Sequence, residues 1–206
     1  VWDPVLETVK AHGGAAAPVN GRRRIAAGIL SLGQDMDHET SPFQVNLGYQ
    51  VPDDKDAEYV GKAELERQRE AIERGEYPFK YKLVGLKLAG EPIIDWASDF
   101  WPVSDPETGE TCGYLTSAGW NPELETNVAL GYVPAATLQA ATDVPLDDSI
   151  YDADVDLEFA VHLPEEYAET PGEPVYATLA KVPFTQSANP SAREQAQIHA
   201  GDDPNE

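Results

Sequence analysis

The amino-acid sequence predicts an α+β protein in which a mixed α/β segment, ending near Gly75, is followed by an all-β module. The clearest helical pattern runs from Gly61 to Arg74, where Leu65 and Ile72 fall on one face and a glycine follows. After Pro78 the pattern changes to short alternating runs of apolar and polar residues, separated by turns that contain proline or glycine. Short strands joined by such turns are typical of a small antiparallel barrel or sandwich.

The first segment is expected to contain two further helices and one strand. Asp3-Pro4 supplies a helix N-cap followed by proline in the first turn, and Gly13-Gly14 stops that helix. Arg22 to Leu30 is a second short helical stretch. Apolar residues alternate with other residues from Phe43 to Tyr49, which predicts a strand.

Six stretches of the all-β module are expected to form strands. One of them, Val155 to Leu163, alternates strictly, which predicts one buried and one wet face with His162 on the wet face. The turn from Asp105 to Gly109 carries proline and glycine where a hairpin needs them. The other expected strands are 80–88, 102–104, 112–117, 127–133 and 175–184, and a polar tail follows.

The charge of the chain excludes two classes of ligand. Its 206 residues include 14 Lys and Arg against 37 Asp and Glu, a formal net charge of −23. Nucleic acids and anionic membranes require clustered Lys and Arg, so this chain is expected to bind neither. The acids are dispersed, which favours a surface adapted to a salt-rich cytoplasm over an acidic interaction tail. Because the chain lacks an apolar run long enough to span a bilayer, we expect a soluble, cytoplasmic protein.

The residue types alone carry little catalytic signal. The four histidines are scattered, and the single cysteine, Cys112, has no zinc-ligand spacing around it. The sequence has no phosphate loop, no dinucleotide-binding glycine pattern and no nucleophile elbow. Asp35 and Asp37 form either an acid pair or a set of turn caps beside Gly33. We therefore assign no catalytic residue and no metal ligand from these patterns.

The few basic residues and one tryptophan are the candidates for ligand binding. Arg22-Arg23-Arg24 and the pair Lys80 and Lys82 are local positive clusters in a very acidic chain. Such clusters either pair with neighbouring acids or bind an anionic ligand. Trp120 follows Ser117-Ala118-Gly119 and belongs either to the core or to the mouth of a pocket.

Ordered motifs between Arg24 and Phe184 resemble those of the glycine cleavage T-protein family. Thr116-Ser117 and Asn121-Pro122 in one motif supply hydroxyl, amide and proline groups for the bend between two barrel strands. The motifs are R-I-A-A-G-I-L-S-L-G-Q-D-M-D (24–37), Y-V-G-K-A-E-L (59–65), K-L-V-G-L (82–86), T-S-A-G-W-N-P-E-L (116–124) with N-V-A-L-G-Y-V (127–133), and V-P-F (182–184).

The resemblance implies a division of the chain and a cofactor. Residues 1–78 correspond to the C-terminal part of a folate-binding transferase domain, 79–185 to the antiparallel β-barrel C-terminal domain, and 186–206 to a flexible acidic tail. The implied cofactor is tetrahydrofolate, and the residues expected to bind it are Arg24, Tyr49, Lys82 and Trp120.

The resemblance also implies partners and an activity. The partners are a small-molecule donor of a methyl or aminomethyl group, the N-terminal half of the family, which carries the central acidic residue, and a second copy in a homo-oligomer. Ala26 and Leu32 replace a family glutamate and tyrosine, and the run from Arg24 to Ser31 with Trp120 favours the demethylase branch, which includes dimethylsulfoniopropionate demethylase. An iron–sulfur-maintenance branch and a non-catalytic remnant are the alternatives.

The dispersed acids predict a salt-dependent fold. At molar salt the Debye length is only ~3 Å, so repulsion among the acids is screened, whereas in dilute buffer it is not. We expect the circular dichroism of a folded chain in molar potassium chloride and partial unfolding in dilute buffer. Equal stability at both extremes would contradict the adaptation to salt.

Overall fold

The computed structural model describes residues 1–16, 21–52, 57–94, 99–142, 145–146, 155, 157–170 and 172–184. Within these residues the secondary structure consists of four α-helices, two 3₁₀ helices and six strands. The helices are α1 (Trp2–Ala11), α2 (Gly21–Ala26), the first 3₁₀ helix (Pro42–Val45), the second 3₁₀ helix (Gly48–Gln50), α3 (Lys62–Glu73) and α4 (Ala135–Ala141). The strands are β1 (Tyr81–Leu88), β2 (Trp101–Ser104), β3 (Thr111–Asn121), β4 (Thr126–Pro134), β5 (Glu158–Val161) and β6 (Val175–Ala180).

The strands of the described residues form a closed antiparallel barrel in the order β1-β4-β3-β2-β5-β6. Every neighbouring pair is antiparallel, and the longest register joins Tyr81 to Pro134 and Leu88 to Asn127 across β1 and β4. Closure leaves no open sheet edge, which a small all-β unit otherwise has to cover. The predicted α+β class with an antiparallel barrel is confirmed.

Two apolar clusters lie on opposite faces of β1 and β4. Val84, Leu86 and Leu88 alternate with Leu83 along β1 and belong to the larger cluster, which fills the barrel with side chains from all six strands. Leu83 belongs to the second cluster, together with Leu130 on β4 and Ile25 on α2. The N-terminal segment therefore covers the outer face of these two strands, and both faces are buried.

The expected strand at 43–49 is wrong, since this stretch forms the two 3₁₀ helices. Ser41 caps the first one: its hydroxyl accepts the backbone N–H of Phe43, and the Gln44 side chain accepts the N–H of Ser41. Pro42 occupies the first helical position, and Asn46 ends the turn at a φ of 61°. The cap at Ser41 decides the structure of this stretch, because the apolar residues that alternate from 43 to 49 fit successive 3₁₀ turns as well as a strand.

Helix α2 ends four residues earlier than the sequence predicts, at Ala26 rather than Leu30. The N–H of Ile29 donates to the carbonyl of Arg24 at 2.8 Å, and that of Gly28 donates to Ile25 at 3.0 Å, which is a Schellman motif. Gly28 has a φ of 68°, and a Cβ there would lie 2.3 Å from Val182 Cγ1. Glycine is therefore required both for the helix end and for the close approach of the segment after β6.

The expected limits of two strands and one helix also need correction. Strand β5 covers only Glu158–Val161 of the predicted 155–163, and it departs from strict alternation, since Ala160 is buried as well as Phe159 while Glu158 is exposed. Strand β6 ends at Ala180, after which the N–H of Phe184 donates to the carbonyl of Ala26 at 2.8 Å. Helix α1 starts at Trp2 rather than after an Asp3 cap, and α4 was not predicted.

Other local predictions are confirmed. Gly75, with a φ of 77°, follows α3, and Arg74 pairs with Glu70 at 3.8 Å. Strands β1, β2 and β4 lie within one residue of their predicted limits, whereas β3 continues to Asn121, four residues beyond the predicted end at Ser117. The expected tail at 186–206 lies outside the described residues. Among the described helices, none has the length and apolar character needed to cross a membrane.

Candidate functional site

Asp35 lies at the contact between the N-terminal segment and the barrel, where it is completely buried, at 0% exposure. Oδ2 accepts a hydrogen bond from Arg24 Nη1 at 2.7 Å and one from the backbone N–H of Ser31 at 2.8 Å. Both donors belong to the N-terminal segment. A charge removed from water in this way requires paired and hydrogen-bonded neighbours, which these two groups provide.

The other oxygen of Asp35 binds the barrel. Oδ1 accepts from Thr116 Oγ1 and from Ser117 Oγ, each at 2.6 Å. Adjacent residues of a regular strand point to opposite faces, but the β3–β4 register shifts between Leu115 and Ser117. This bulge inserts an extra residue and turns both hydroxyls towards the same carboxylate oxygen.

Arg24 and Tyr132 complete the cluster. Arg24 Nη2 donates to Ser117 Oγ at 2.8 Å, and Nη1 also contacts the carbonyl of Ile29 at 3.2 Å. The hydroxyl of Tyr132, on β4, donates to the backbone carbonyl of Asp35 at 2.8 Å. Burial of the phenol raises the pKa of Tyr132 to about 12. We call Arg24, Asp35, Thr116, Ser117 and Tyr132 the Asp35 cluster.

The geometry distinguishes Asp35 from Asp37 and supports turn capping over an acid pair. Asp37 is exposed, and its Oδ1 accepts the N–H of Glu39 and the hydroxyl of Thr40, each at 2.9 Å. The hydrogen bond from Thr40 lowers the pKa of Asp37. Asp35 has donors on both oxygens, so its carboxylate serves as an anchor between two parts of the fold rather than as a proton-transfer group.

Arg24 and Lys82, two of the predicted folate-binding residues, differ in accessibility. Arg24 keeps 21% of its side chain exposed while it is paired with Asp35. Lys82, on β1, is 0% exposed, because the first 3₁₀ helix lies over it. Its Nζ is 3.4 Å from the carbonyl oxygen of Phe43 and 5.7 Å from the centroid of the Tyr77 ring. Of these two cations, only Arg24 presents part of its side chain at the surface.

The other two predicted residues lie elsewhere. Tyr49 is on the second 3₁₀ helix, is exposed, and accepts a hydrogen bond from Gln50 Nε2 at 3.1 Å. Trp120 is half-buried near the end of β3, where its backbone N–H donates to the backbone carbonyl of Ile93 at 2.9 Å. The four residues thus lie on four different elements, α2, the second 3₁₀ helix, β1 and β3, and their contact with a folate stays a prediction.

The sequence pattern of 116–122 is only partly a turn motif. The predicted turn role of Asn121 is confirmed, since its Oδ1 accepts the N–H groups of Glu123 and Leu124. The same role predicted for Thr116 and Ser117 is wrong, because both lie within β3 and bind Asp35. Spacing along the chain could not reveal this contact between residues some 80 positions apart. The one indication in the sequence is that the motif with Asp35 (24–37) and the motif with Thr116 and Ser117 (116–124) both belong to the same family pattern.

The described residues contain no cluster of three or more His, Cys, Asp or Glu that could hold a metal ion. His162, predicted to be a surface residue, is half-buried, and its Nε2 lies 3.0 Å from Ser104 Oγ. Cys112 is half-buried, and burial raises the pKa of its thiol. None of these contacts resembles an activated nucleophile with an orienting third group.

Residues 82–186, which include all of the barrel strands except Tyr81, match the family described as the glycine cleavage T-protein C-terminal barrel domain. The chain belongs to the glycine cleavage T-protein family. Within it, the aminomethyltransferase of Synechococcus sp. (strain CC9902) is 36% identical over 147 residues, which cover 71% of this chain and 37% of that protein. The aminomethyltransferase of Thermotoga sp. (strain RQ2) is 37% identical over 135 residues, 65% of this chain and 33% of that protein.

A solved T-protein structure is similar as well. The crystal structure of the glycine cleavage system aminomethyltransferase T from Bartonella henselae matches with a TM-score of 0.54 and 25% sequence identity. The match covers 79% of this chain and 37% of that one. The chain therefore spans between 33% and 37% of the length of these relatives.

Removal of the charge at Asp35 is expected to destabilise the fold strongly. Asp35→Asn leaves the Arg24 guanidinium without its carboxylate and places an amide among donors, at a cost of about 3 kcal/mol in the free energy of unfolding. Chemical denaturation in high salt measures this. Asp37→Asn, two residues away but exposed, is the matched control and should cost less than about 1 kcal/mol. Equal losses in the two variants would show that the Asp35 cluster does not hold the segment to the barrel.

Tyr132 predicts a loss of stability at alkaline pH. Its folded pKa of about 12 lies above the ordinary value of 10.0, so the unfolded chain releases the phenol proton first. The stabilisation that the protonated Tyr132 phenol contributes to the free energy of unfolding is complete below pH 10 and falls as the pH rises towards 12. Tyr132→Phe removes the hydrogen bond to the carbonyl of Asp35, so the free energy of unfolding should fall by about 1 kcal/mol at neutral pH. Above pH 10 the stability of this variant should decline less steeply than that of the parent.

Denaturation midpoints between pH 8 and 12 measure that effect. Tyr176→Phe, which alters an exposed ring, is the control and should reproduce the parent curve. If Tyr132→Phe declines as steeply as the parent, the phenol of Tyr132 is not the group responsible.

Proposed function

We propose that the chain is the C-terminal part of a tetrahydrofolate-dependent transferase of one-carbon units, either aminomethyl or methyl groups. The observation that supports this proposal is the coincidence of the closed barrel with the family match over residues 82–186. A helical segment precedes the barrel and packs against its outer face, and relatives named aminomethyltransferase align over most of the chain. Fold alone would be weak support, but here it is joined by sequence identity over the same residues.

In this proposal the residues of this chain hold and shape the folate-binding part of the enzyme rather than carry the reaction. Asp35 has its oxygens occupied by Arg24, Ser31, Thr116 and Ser117, and Asp37 caps an exposed turn. We therefore expect the central acidic residue in the region of the relatives that this chain does not span. Folate supplies the nitrogen that accepts the one-carbon unit.

Arg24 is the cation best placed to bind a folate carboxylate. Its guanidinium is held by Asp35 and Ser117, so the direction of any remaining donor is fixed, and part of the side chain stays exposed. Lys82 would reach a ligand only if the first 3₁₀ helix moved away from β1. Because a folate carboxylate must reach the cation from the surface, the exposure of Arg24 favours it over Lys82 as the folate contact.

Methyl transfer, as in the demethylase branch, is the narrower proposal. It rests on Ala26 and Leu32, which replace a family glutamate and tyrosine, and on Trp120. Leu32 is 64% exposed in the loop that carries Asp35, which is compatible with a changed ligand-facing surface. The similar proteins of Synechococcus and Thermotoga carry the name aminomethyltransferase, which supports the aminomethyl alternative.

The test compares the 206-residue chain with a complete polypeptide that also contains the N-terminal region of the family. With tetrahydrofolate and a methyl or an aminomethyl donor, the complete polypeptide should form the corresponding substituted folate, as detected by mass spectrometry, and the shorter chain should form none. Activity of the shorter chain would contradict our placement of the acid. Folate binding without transfer from either donor would favour the non-catalytic alternative, and no folate binding would overturn the proposal.

A pair of variants separates the ligand role of Arg24 from its structural role. Arg24→Gln and Asp35→Asn break the same ion pair, but only the first removes the cation. A contact to a carboxylate contributes on the order of 1.5–3 kcal/mol, so Arg24→Gln should weaken folate binding by one to two decades more than Asp35→Asn. Equal affinities would show that Arg24 acts only through the fold.

A further inference from the structure

A cavity of about 310 Å³ lies where the C-terminal end of α3 meets α4. Its walls come from the end of α3 and the turn after it, and from α4 and the residues that follow it. None of the described lining residues belongs to the Asp35 cluster or to the predicted folate contacts. We call this space the α3–α4 cavity. Ligand pockets span roughly 300–1,000 Å³, so its volume suits a small molecule.

Hydrogen bonds between backbone groups fix the walls of the α3–α4 cavity. The N–H of Glu76 donates to the carbonyl of Ala71 at 2.8 Å, and that of Gly75 donates to Ile72 at 2.9 Å, which is a Schellman motif at the end of α3. Gln139 Nε2, on α4, donates to the carbonyl of Gly75 at 3.3 Å and so joins the two walls. A Cβ at Gly75 would meet no heavy atom within 4 Å, so the space beside this glycine is open.

Part of the lining is apolar and continuous with the barrel core. Ile72 and Leu146 are buried, and Tyr77 is half-buried. Leu146 belongs to the larger apolar cluster, and Tyr77 packs against that cluster. An aliphatic group that rests on these side chains leaves water, which favours binding in proportion to the apolar area removed.

The charged residues of the described lining are one acid and one base, Glu73 and Arg74. Their formal charges cancel, although the chain as a whole carries −23. Arg74 lies 3.8 Å from Glu70 and 3.4 Å from Glu76, and 56% of its side chain is exposed. Because a guanidinium has five N–H donors, these two long contacts leave it able to bind a further carboxylate. Glu73 is exposed and supplies an acceptor of the opposite charge beside it.

We propose that the α3–α4 cavity binds a small zwitterion, namely an α-amino acid with an apolar side chain. Its carboxylate accepts hydrogen bonds from Arg74, and its ammonium group donates to Glu73. Its side chain lies against Ile72, Tyr77 and Leu146. This inference does not rest on the proposed function, because no residue of the cavity is among the candidate folate contacts.

Ligands with a single charge fit the α3–α4 cavity less well. An organic anion has to approach a chain of net charge −23 against repulsion, and it leaves Glu73 beside its own charge. An amine without a carboxylate places its ammonium group beside the guanidinium of Arg74 and gains only one charged contact. A zwitterion is neutral as a whole and satisfies both residues at once.

A titration of the ¹⁵N-labelled 206-residue chain in molar potassium chloride, followed by nuclear magnetic resonance, tests the proposal. The probes are valine, isobutylamine, which is valine without its carboxylate, and isovalerate, which is valine without its amine. Valine should shift the amide signals of Gly75 and Gln139 to saturation. Its dissociation constant should be at least about fivefold lower than those of the other two probes, the effect of one exposed charged contact. No saturable shift with valine, or equal binding of the three probes, would overturn the proposal.

Two substitutions assign the charged contacts. Glu73→Gln should weaken valine and isobutylamine by about fivefold and leave isovalerate unchanged, whereas Arg74→Gln should weaken valine and isovalerate and leave isobutylamine unchanged. Glu66→Gln and Arg67→Gln, on the same helix but outside the cavity lining, are the matched controls and should alter none of the three affinities. Equal losses in the controls would assign binding to the general charge of the surface and overturn the proposal. These measurements use neither folate nor transferase activity.

Discussion

The position of the N-terminal segment depends on one buried carboxylate. One oxygen of Asp35 binds Arg24 and Ser31 of the segment, and the other binds Thr116 and Ser117 of the barrel. A carboxylate that is shielded from solvent requires these donors, so separating the N-terminal segment from the barrel would take the carboxylate away from half of its partners. The apolar contacts of Ile25 with Leu83 and Leu130 supply attraction without direction, whereas the carboxylate fixes the orientation. The β-bulge in β3 is what allows two neighbouring hydroxyls to reach it.

The sequence predicts those parts of the fold that depend on local signals. The helix at Gly61 to Arg74 and the strands before Pro134 follow from periodicity and from glycine and proline at their ends, and the structure has them. The stretch from Phe43 to Tyr49 was mispredicted because an alternating pattern does not distinguish a strand from successive 3₁₀ turns, and the cap at Ser41 decides between them. In β5 the alternation predicted a wet face for Ala160, but this side chain is buried, because alternation alone does not show which neighbouring segments cover a strand.

The candidate site was less predictable, because its contacts join distant positions. The scarcity of bases drew attention to Arg24, but the sequence contains 37 acids, and spacing cannot tell which of them is its partner. Thr116 and Ser117 were recognised as a motif, yet their part in binding Asp35 requires knowledge of the bulge and of the packing of α2. Lys82 was expected either to pair with acids or to bind an anionic ligand, whereas the fold buries it beneath the first 3₁₀ helix.

Three acids at the surface accept hydrogen bonds from residues close to them in the chain, and these bonds determine how the charge of the surface depends on pH and salt. The hydrogen bond from Thr40 lowers the pKa of Asp37, those from Thr108 lower the pKa of Asp105, and Arg67 lowers the pKa of Glu64 to about 2. Groups with lowered folded pKa values stabilise the fold above their unfolded pKa and lose this contribution only as the pH falls through the folded value. These local donors keep the three acids ionised in mildly acidic solution. Repulsion among them is therefore relieved by screening ions rather than by protons. Asp35, by contrast, is buried and bound by donors from both parts of the fold.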